Sequence, residues 1–218
     1  MKFLKQSNQT IVGLLFFSSS LFSAVQIIQP SENAYEEIQE AFILAEPGDV
    51  IRLTSGTYNL QDSLSLDVEG VQVEGEGMGQ TILNFADQQS GAQGLSVTSD
   101  NVTLQDFSIQ NAKGDAIKVK GVRNIKFLRV KTEWTNGPSP ENGAYGLYPV
   151  ESTNVLIDGC IAIGASDAGI YVGQSQNIIV RNSRAEFNVA GIEIENSYYA
   201  DVYNNIATNN TGGILVFD

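Results

Sequence analysis

The stretch GIYVGQSQNIIVRNSRAEFNVAGIEIEN, residues 169–196, contains the pattern Gly-Ile-x-hydrophobic twice, beginning at Gly169 and at Gly191. The comparable segments GLYP and GILV begin at Gly146 and Gly213, so the glycines recur at steps of 23, 22 and 22 residues. A repeat of about 20 to 25 residues built from short strands is typical of a β-solenoid. The sequence therefore predicts stacked coils, each of which covers the apolar surface of the next.

Aligning the coils on this glycine position predicts which side chains point inward. Apolar residues follow it by one position (Leu95, Ile117, Leu147, Ile170, Ile192, Ile214) and by three positions (Val97, Val119, Pro149, Val172, Ile194, Val216). The residues between these two columns should point outward, because side chains alternate along a strand. They are Ser96, Lys118, Tyr148, Tyr171, Glu193 and Leu215.

A second strand in each coil begins at an asparagine, as at Asn101, Asn124, Asn154 and Asn177. Asn and Gly tolerate the left-handed backbone angles of sharp corners, and Asn can also hydrogen-bond along the stack. We therefore expect both residue types at the corners of the solenoid.

The N-terminal part of the chain differs from the repeats. Lys2 and Lys5, the apolar residues 11–17 and a run of small residues are typical of a secretory signal peptide, predicted for residues 1–24 with cleavage between Ser23 and Val25. This predicts a secreted or periplasmic protein; the alternative is a buried N-terminal segment. Residues 33–45 then predict one amphipathic helix that caps the solenoid, with Asn33 as its N-cap and Glu36 three residues later. No helical pattern follows it, which argues against a βαβ sheet.

Composition excludes several classes of protein. The 25 acidic and 12 basic residues give a net charge of −13, which argues against nucleic acid or an anionic membrane surface as partner. The absence of histidine excludes a Ser-His-Asp triad and a His-rich zinc site. A single cysteine, Cys160, excludes an intramolecular disulfide.

The Asn-initiated strands and glycine corners resemble those of right-handed parallel β-helix proteins, the pectin-lyase-like group of exported proteins that act on or bind polysaccharides. The resemblance covers residue 33 to the end of the chain. It implies an all-β, single-stranded parallel β-helix with coils of 22–23 residues, an N-terminal capping helix and a polysaccharide or oligosaccharide partner. Because the fold hosts many chemistries, the reaction does not follow from it.

One segment is similar to the active-site region of alginate C5-epimerases within this group. These enzymes carry an Asp-Pro-His-Asp motif where the present chain has Tyr148, Pro149, Val150 and Glu151. Only the proline is kept and valine replaces the histidine, so the epimerase mechanism does not transfer.

Seven of the twelve basic residues fall within residues 113–131, which predicts a local basic patch on an acidic protein. They are Lys113, Lys118, Lys120, Arg123, Lys126, Arg129 and Lys131. Lys118, Lys120 and Lys126 are candidate ligands for an acidic polysaccharide; the alternative is a solvated strand face.

The coil from Ala116 to Gly146 spans 30 residues, and its extra length is a loop at residues 133–144. Insertions on a solenoid wall often form the binding face. The loop contains the only tryptophan, Trp134, which either stacks on a sugar ring or covers outward aliphatic residues such as Leu156 and Ile179.

The outward tyrosines and acidic residues suggest two further roles. Tyr148 and Tyr171, with Lys118, are candidate ligand-binding groups, and in a lyase or C5-epimerase they would be the catalytic groups. Asp167, Glu193 and Glu195 are candidate Ca²⁺ ligands, with a solvated acidic corner as the alternative. A purely structural surface solenoid is a third interpretation.

The last residues, GGILVFD, place Ile214 and Val216 in the inward columns with no polar capping segment after them. This pattern predicts a truncated solenoid that self-associates through its C-terminal coil.

Overall fold

Twenty-two short strands and one helix follow one another along residues 23–218, the part of the chain that this computed structural model describes. Each strand inside a sheet pairs in parallel with a strand of the coil before it and a strand of the coil after it, and the strands at the sheet ends pair on one side, which gives three sheets of eight, seven and seven strands. The predicted all-β, right-handed parallel β-helix is therefore confirmed. Residues 1–22 of the predicted signal peptide lie outside the described residues.

Sheet I contains the strand that begins each coil. Its members are β1 (Val25–Ile28), β2 (Val50–Leu53), β5 (Gln72–Glu74), β8 (Thr103–Gln105), β11 (Arg123–Leu128), β14 (Thr153–Asp158), β17 (Gln176–Arg181) and β20 (Tyr198–Tyr203).

Sheets II and III form the other two walls. Sheet II consists of β3 (Gly56–Asn59), β6 (Thr81–Asn84), β9 (Ser108–Gln110), β12 (Lys131–Glu133), β15 (Ile161–Ile163), β18 (Arg184–Glu186) and β21 (Ile206–Thr208). Sheet III consists of β4 (Leu64–Leu66), β7 (Gln93–Val97), β10 (Asp115–Lys120), β13 (Tyr145–Val150), β16 (Ala168–Gly173), β19 (Ala190–Glu195) and β22 (Gly212–Phe217).

The predicted register of sheet III is confirmed. Ile117 pairs with Leu147, Leu147 with Ile170, and Ile170 with Ile192. All four side chains are fully buried in one continuous core. Ile214 and Val216 belong to the same inward columns but lie in the edge strand β22 and are exposed.

The repeating glycines owe their position to lack of space. Gly146, Gly169 and Gly191 do not have positive φ angles; the left-handed angles expected of corner glycines occur at other positions, such as Gly121, Gly159 and Gly164. A side chain on Gly146 would collide with the carbonyl oxygen of Gly169 and with Thr132, and one on Gly191 would collide with Gly213. In these coils glycine therefore stands where the backbone passes close to a neighbouring coil, whereas Ala116 takes the same register position in β10.

Asparagines do occupy left-handed corners, as predicted. Asn101, Asn124, Asn154 and Asn177 have φ angles of 61°, 61°, 60° and 56°. Their side-chain amides donate to one another along the stack at 2.6, 2.7 and 3.1 Å. This asparagine ladder satisfies polar side chains at the corner that leads into sheet I.

The predicted capping helix is α1 (Ala34–Leu44), which buries Ala34, Ile38, Ala41 and Phe42. Asn33 is the N-cap residue, but its side chain makes no capping hydrogen bond, so the predicted capping box is wrong. Instead the Asn33 N–H donates to the Ser31 hydroxyl at 3.2 Å, and that hydroxyl donates to Glu37 at 3.0 Å.

Candidate functional site

The outer face of sheet III carries three tyrosines in mutual contact, here called the tyrosine cluster: Tyr145, Tyr148 and Tyr171. The ring centroid of Tyr145 lies 4.4 Å from that of Tyr148 and 4.8 Å from that of Tyr171. Tyr148 and Tyr171 meet edge to face at 5.1 Å. Tilted and edge-to-face rings attract one another beyond their burial of apolar area, so the cluster forms a cohesive aromatic surface.

Glycine at position 173 allows Tyr171 to lie flat along its own strand. A side chain on Gly173 would collide with the Tyr171 ring, which is 6% exposed. In this position the Tyr171 hydroxyl reaches the next strand and donates to the Glu195 carboxylate at 2.5 Å. A charge-assisted hydrogen bond thus fixes one side of the cluster.

Lys118 borders the other side of the cluster. Its Nζ lies 4.8 Å from the centroid of the Tyr148 ring, within range of a cation–π interaction, and 3.9 Å from the Asp115 carboxylate. Lys120, two residues along the strand, pairs with Glu151 at 3.5 Å. The structure therefore brings Lys118, Tyr148 and Tyr171 together as predicted, with Lys120 at the margin.

Burial raises the pKa of all three phenols of the tyrosine cluster. Nearby carboxylates add to this effect: the negative charge of Asp167 acts on Tyr145, and Glu195 accepts the hydrogen bond from Tyr171. Because an ordinary phenol has a pKa near 10, these groups stay protonated at neutral pH. The phenols therefore act as hydrogen-bond donors, as the Tyr171 hydroxyl does to Glu195.

Two carboxyl groups beside the cluster also have raised pKa values. Burial raises the pKa of Asp115, and the Lys118 ammonium partly opposes this. Burial raises the pKa of Glu193, and the negative charges of Asp167 and Glu195 raise it further. Acidic side chains thus lie on both sides of the cluster, with Asp115 beside Lys118 and Glu193 and Glu195 on β19.

The predicted basic patch does not exist as one surface. The window of residues 113–131 runs around most of one coil, so its side chains point in different directions. Lys118 and Lys120 lie on sheet III, Lys126 on sheet I and Lys131 on sheet II. Five of the seven are paired with acidic residues: Lys118, Lys120, Arg123, Arg129 and Lys131.

Trp134 is not the sugar-stacking residue that the sequence suggested, nor does it cover Leu156 and Ile179. Its side chain is only 5% exposed and belongs to the main core. The indole Nε1 donates to the carbonyl oxygen of Ala112 at 2.8 Å. The loop at residues 134–144 begins with this buried anchor, so neither face of the ring is open to a ligand.

The structure does not arrange the candidate calcium ligands Asp167, Glu193 and Glu195 around one metal position in the described part of the chain. Among residues 23–218, no group of three or more Asp, Glu, Cys or His side chains is arranged to hold a metal ion. Glu195 is bound to the Tyr171 hydroxyl. The acidic residues Asp167, Glu193 and Glu195 therefore act here through their charge on the neighbouring tyrosines and on one another.

Sequence reasoning did not identify Tyr145 and Asp115 as members of the site. Both lie three residues before the outward column that contains Lys118 and Tyr148, in a separate column where Asp115 pairs with Gln93 and Tyr145 pairs with Ala168. Extending the alignment to the residue before the glycine position would have found them.

The three sheets and the inward columns define the chain as a right-handed parallel β-helix protein. The family described as right handed beta helix region matches residues 69–218. The chain belongs to this family. No curated protein sequence matches the chain.

Several solved structures share the fold at low sequence identity. The A-module of the Azotobacter vinelandii mannuronan C-5 epimerase AlgE6 is 19% identical with a TM-score of 0.60, over 86% of this chain and 59% of that one. A rhamnogalacturonan lyase is 14% identical with a TM-score of 0.57, over 84% and 56%. The alginate lyase from Paenibacillus sp. str. FPU-7 is 13% identical with a TM-score of 0.52, over 86% and 78%.

The chain thus spans less than two thirds of the epimerase module and of the rhamnogalacturonan lyase. At these identities the likeness establishes the fold and not the activity. Within residues 23–218 no helix is long and apolar enough to cross a membrane.

Proposed function

We propose that this protein binds a polysaccharide along the outer face of sheet III, with the tyrosine cluster as the contact surface. The observation that carries this proposal is the contact of three phenol rings on sheet III, in which the partly exposed Tyr145 and Tyr148 pack on the buried Tyr171. Lys118 lies over the ring of Tyr148. Aromatic rings present flat apolar surfaces to the apolar faces of sugars, and their hydroxyls hydrogen-bond to sugar hydroxyls. The carbohydrate-active proteins that share the fold support the same ligand class.

The charge of this face bears on which polysaccharide it binds. The sequence-based hypothesis is an acidic polysaccharide, and Lys118 and Lys120 are the cations that would contact it. Lys118 pairs with Asp115 and Lys120 pairs with Glu151. Three further acidic residues border the tyrosine cluster: Asp167, Glu193 and Glu195. Because like charges repel across an interface, we propose that the ligand is a neutral polysaccharide. An acidic polysaccharide is the second candidate, and Lys118 is the residue that favours it.

The first prediction tests the tyrosine cluster. Replacement of Tyr148 by alanine removes the ring that contacts both other tyrosines and Lys118, and should weaken polysaccharide binding about tenfold, or about 1.4 kcal/mol. Binding is measured by calorimetry against a panel of neutral and acidic polysaccharides. Tyr198→Ala is the matched control, because Tyr198 is an exposed tyrosine on sheet I.

The two ligand classes give different results with Lys118→Ala. Loss of this ammonium should leave the affinity for a neutral chain within about twofold, whereas it should weaken an acidic chain by about 1.5 to 3 kcal/mol. Binding that ignores Tyr148→Ala while responding to Tyr198→Ala would place the ligand on another face.

A lyase or C5-epimerase is the enzymatic alternative, with Tyr148, Tyr171 and Lys118 as its catalytic groups. The raised pKa of the phenols weighs against a tyrosine base in this site. Incubation with alginate and pectate would decide: absorbance of unsaturated uronates reports a lyase, and proton NMR of the polymer reports an epimerase. We expect neither signal.

Export of the protein rests on the pattern of residues 1–24. The carbonyl of Ala24 accepts a hydrogen bond from Val50 at 2.9 Å, and β1 begins at the next residue. Among the described residues, the first strand therefore begins directly after the predicted signal peptide. N-terminal sequencing of protein recovered outside the cytoplasm would test both the export and the cleavage position.

A further inference from the structure

A shallow groove of about 440 Å³ lies on the outer face of sheet I, away from the tyrosine cluster. One outward column runs through it, in which Lys126 pairs with Leu156, Leu156 with Ile179, and Ile179 with Asp201. The order along the solenoid is therefore a cation, two aliphatic side chains and an anion. Neighbouring strands lie about 4.8 Å apart, so the two charges stand about three strand spacings apart.

Within the described part of the chain, neither charge at the ends of this column has an ion-pair partner. Among residues 23–218 the ion pairs include neither Lys126 nor Asp201, although most cations of the same coil are paired. Lys126 and Asp201 are exposed, while Leu156 and Ile179 between them are half-buried. An apolar centre between unpaired opposite charges is suited to a partner that presents the reverse order.

A second copy of the chain presents that order. We propose that two copies dock face to face through sheet I, related by a two-fold axis that runs parallel to the strands and passes between β14 and β17. Such an axis keeps the strand direction and reverses the order of the coils. Lys126 then faces Asp201 of the second copy, and Leu156 faces its Ile179. The same patch serves both copies, as a two-fold interface requires.

The next outward column obeys the same symmetry. It contains Leu128, Asp158, Arg181 and Tyr203 in consecutive strands. Reversal of this order places Asp158 against Arg181 of the second copy and Leu128 against its Tyr203. Asp158 and Arg181 already pair within one chain at 2.8 Å, so the dimer would join two ion pairs into one network.

The asparagine ladder supplies a third column, in which Tyr199 takes the position after Asn177. Gln176 pairs with Tyr198, so Tyr199 follows Asn177 in register. It has a φ of 58°, which is unfavourable for an aromatic residue, and its side chain is 81% exposed. In the proposed dimer the Tyr199 ring lies over Asn124 of the second copy. Tyr199 gives more contact area there than an asparagine at the same position would.

The size of the patch sets the expected strength. Four strands of about six residues form a face smaller than a standard protein interface, so we expect a weak dimer with a Kd in the micromolar range. Charged side chains at its rim make the association depend on salt concentration.

The proposal is tested by charge exchange. Sedimentation equilibrium of the purified protein is measured over a range of concentrations for Lys126→Asp, for Asp201→Lys and for the double variant. Each single variant places like charges opposite each other twice, so we expect at least about tenfold weaker dimerisation. The double variant restores opposite charges and should return to within about threefold of the original Kd.

Two charge reversals outside sheet I serve as matched controls. Lys113→Asp and Glu141→Lys reverse exposed charges outside sheet I and should leave the dimer unchanged. A protein that is monomeric at all concentrations would overturn the proposal. So would association that is indifferent to the single variants, or single-variant losses that the double variant does not repair; these would assign the contact to another surface or another partner.

Discussion

At the scale of single residues, Glu193 shows how the aromatic face restricts charge. Its folded-state pKa is raised by burial and by the charges of Asp167 and Glu195. Folding therefore favours the protonated carboxyl group of Glu193 more than the unfolded chain does. The protonated group contributes to stability below the ordinary pKa of glutamate, and this contribution is lost as pH rises through the folded-state pKa.

Replacement of Glu193 by glutamine should consequently stabilise the protein at pH 7 and have little effect below about pH 4. The measurement is the difference in Tm between Glu193→Gln and the original protein across this pH range. Glu141→Gln, an exposed loop variant, is the control. A larger stabilisation in acid than at neutral pH would show that the sign of the shift is wrong.

At the scale of elements, the asparagine ladder is a hydrogen-bonded row that Tyr199 interrupts. Tyr199→Asn should extend the ladder, because Asn tolerates the left-handed angle and its amide can donate to Asn177. We expect the free energy of unfolding to rise by about 0.5 to 1.5 kcal/mol. The measurement is urea unfolding at a concentration where the protein is monomeric. An unchanged or lower stability would mean that the tyrosine ring contributes more than the hydrogen bond it displaces.

The repeats also show how far sequence alone predicts this structure. The buried columns through Ile117 and Ile170, the outward position of Tyr148 and the asparagine ladder follow from a period of 22 or 23 residues, because stacking makes the period a spatial register. The capping helix follows from its apolar face. These predictions concern features that repeat.

Predictions about single occurrences were less reliable. Lys118 and Lys126 are eight residues apart in sequence but lie on different sheets. The clustering of basic residues in the sequence therefore predicted a basic patch that the fold does not form. Trp134 occurs in an insertion without a counterpart in other coils, and only the backbone geometry shows that its indole reaches Ala112. Tyr145 lies in an outward column that was not aligned.

At the scale of the whole molecule, stability depends on unbroken stacking of one core. Ile170→Asp places a charge in that core between Leu147 and Ile192 and should cost several kcal/mol of the free energy of unfolding. Gln174→Asp, at an exposed left-handed corner four residues later, should change it by less than about 0.5 kcal/mol. Thermal unfolding of both variants provides the comparison, and equal shifts would contradict the register.

The loop at residues 134–144 lengthens one coil without changing the register in which its strands pair. Although the chain takes 30 residues from Ala116 to Gly146, Ile117 still pairs directly with Leu147. The extra residues leave the solenoid after Trp134 and return beside Tyr145, at the border of the aromatic face. We therefore expect that this corner accepts foreign segments of different lengths while Ile117 and Leu147 stay paired.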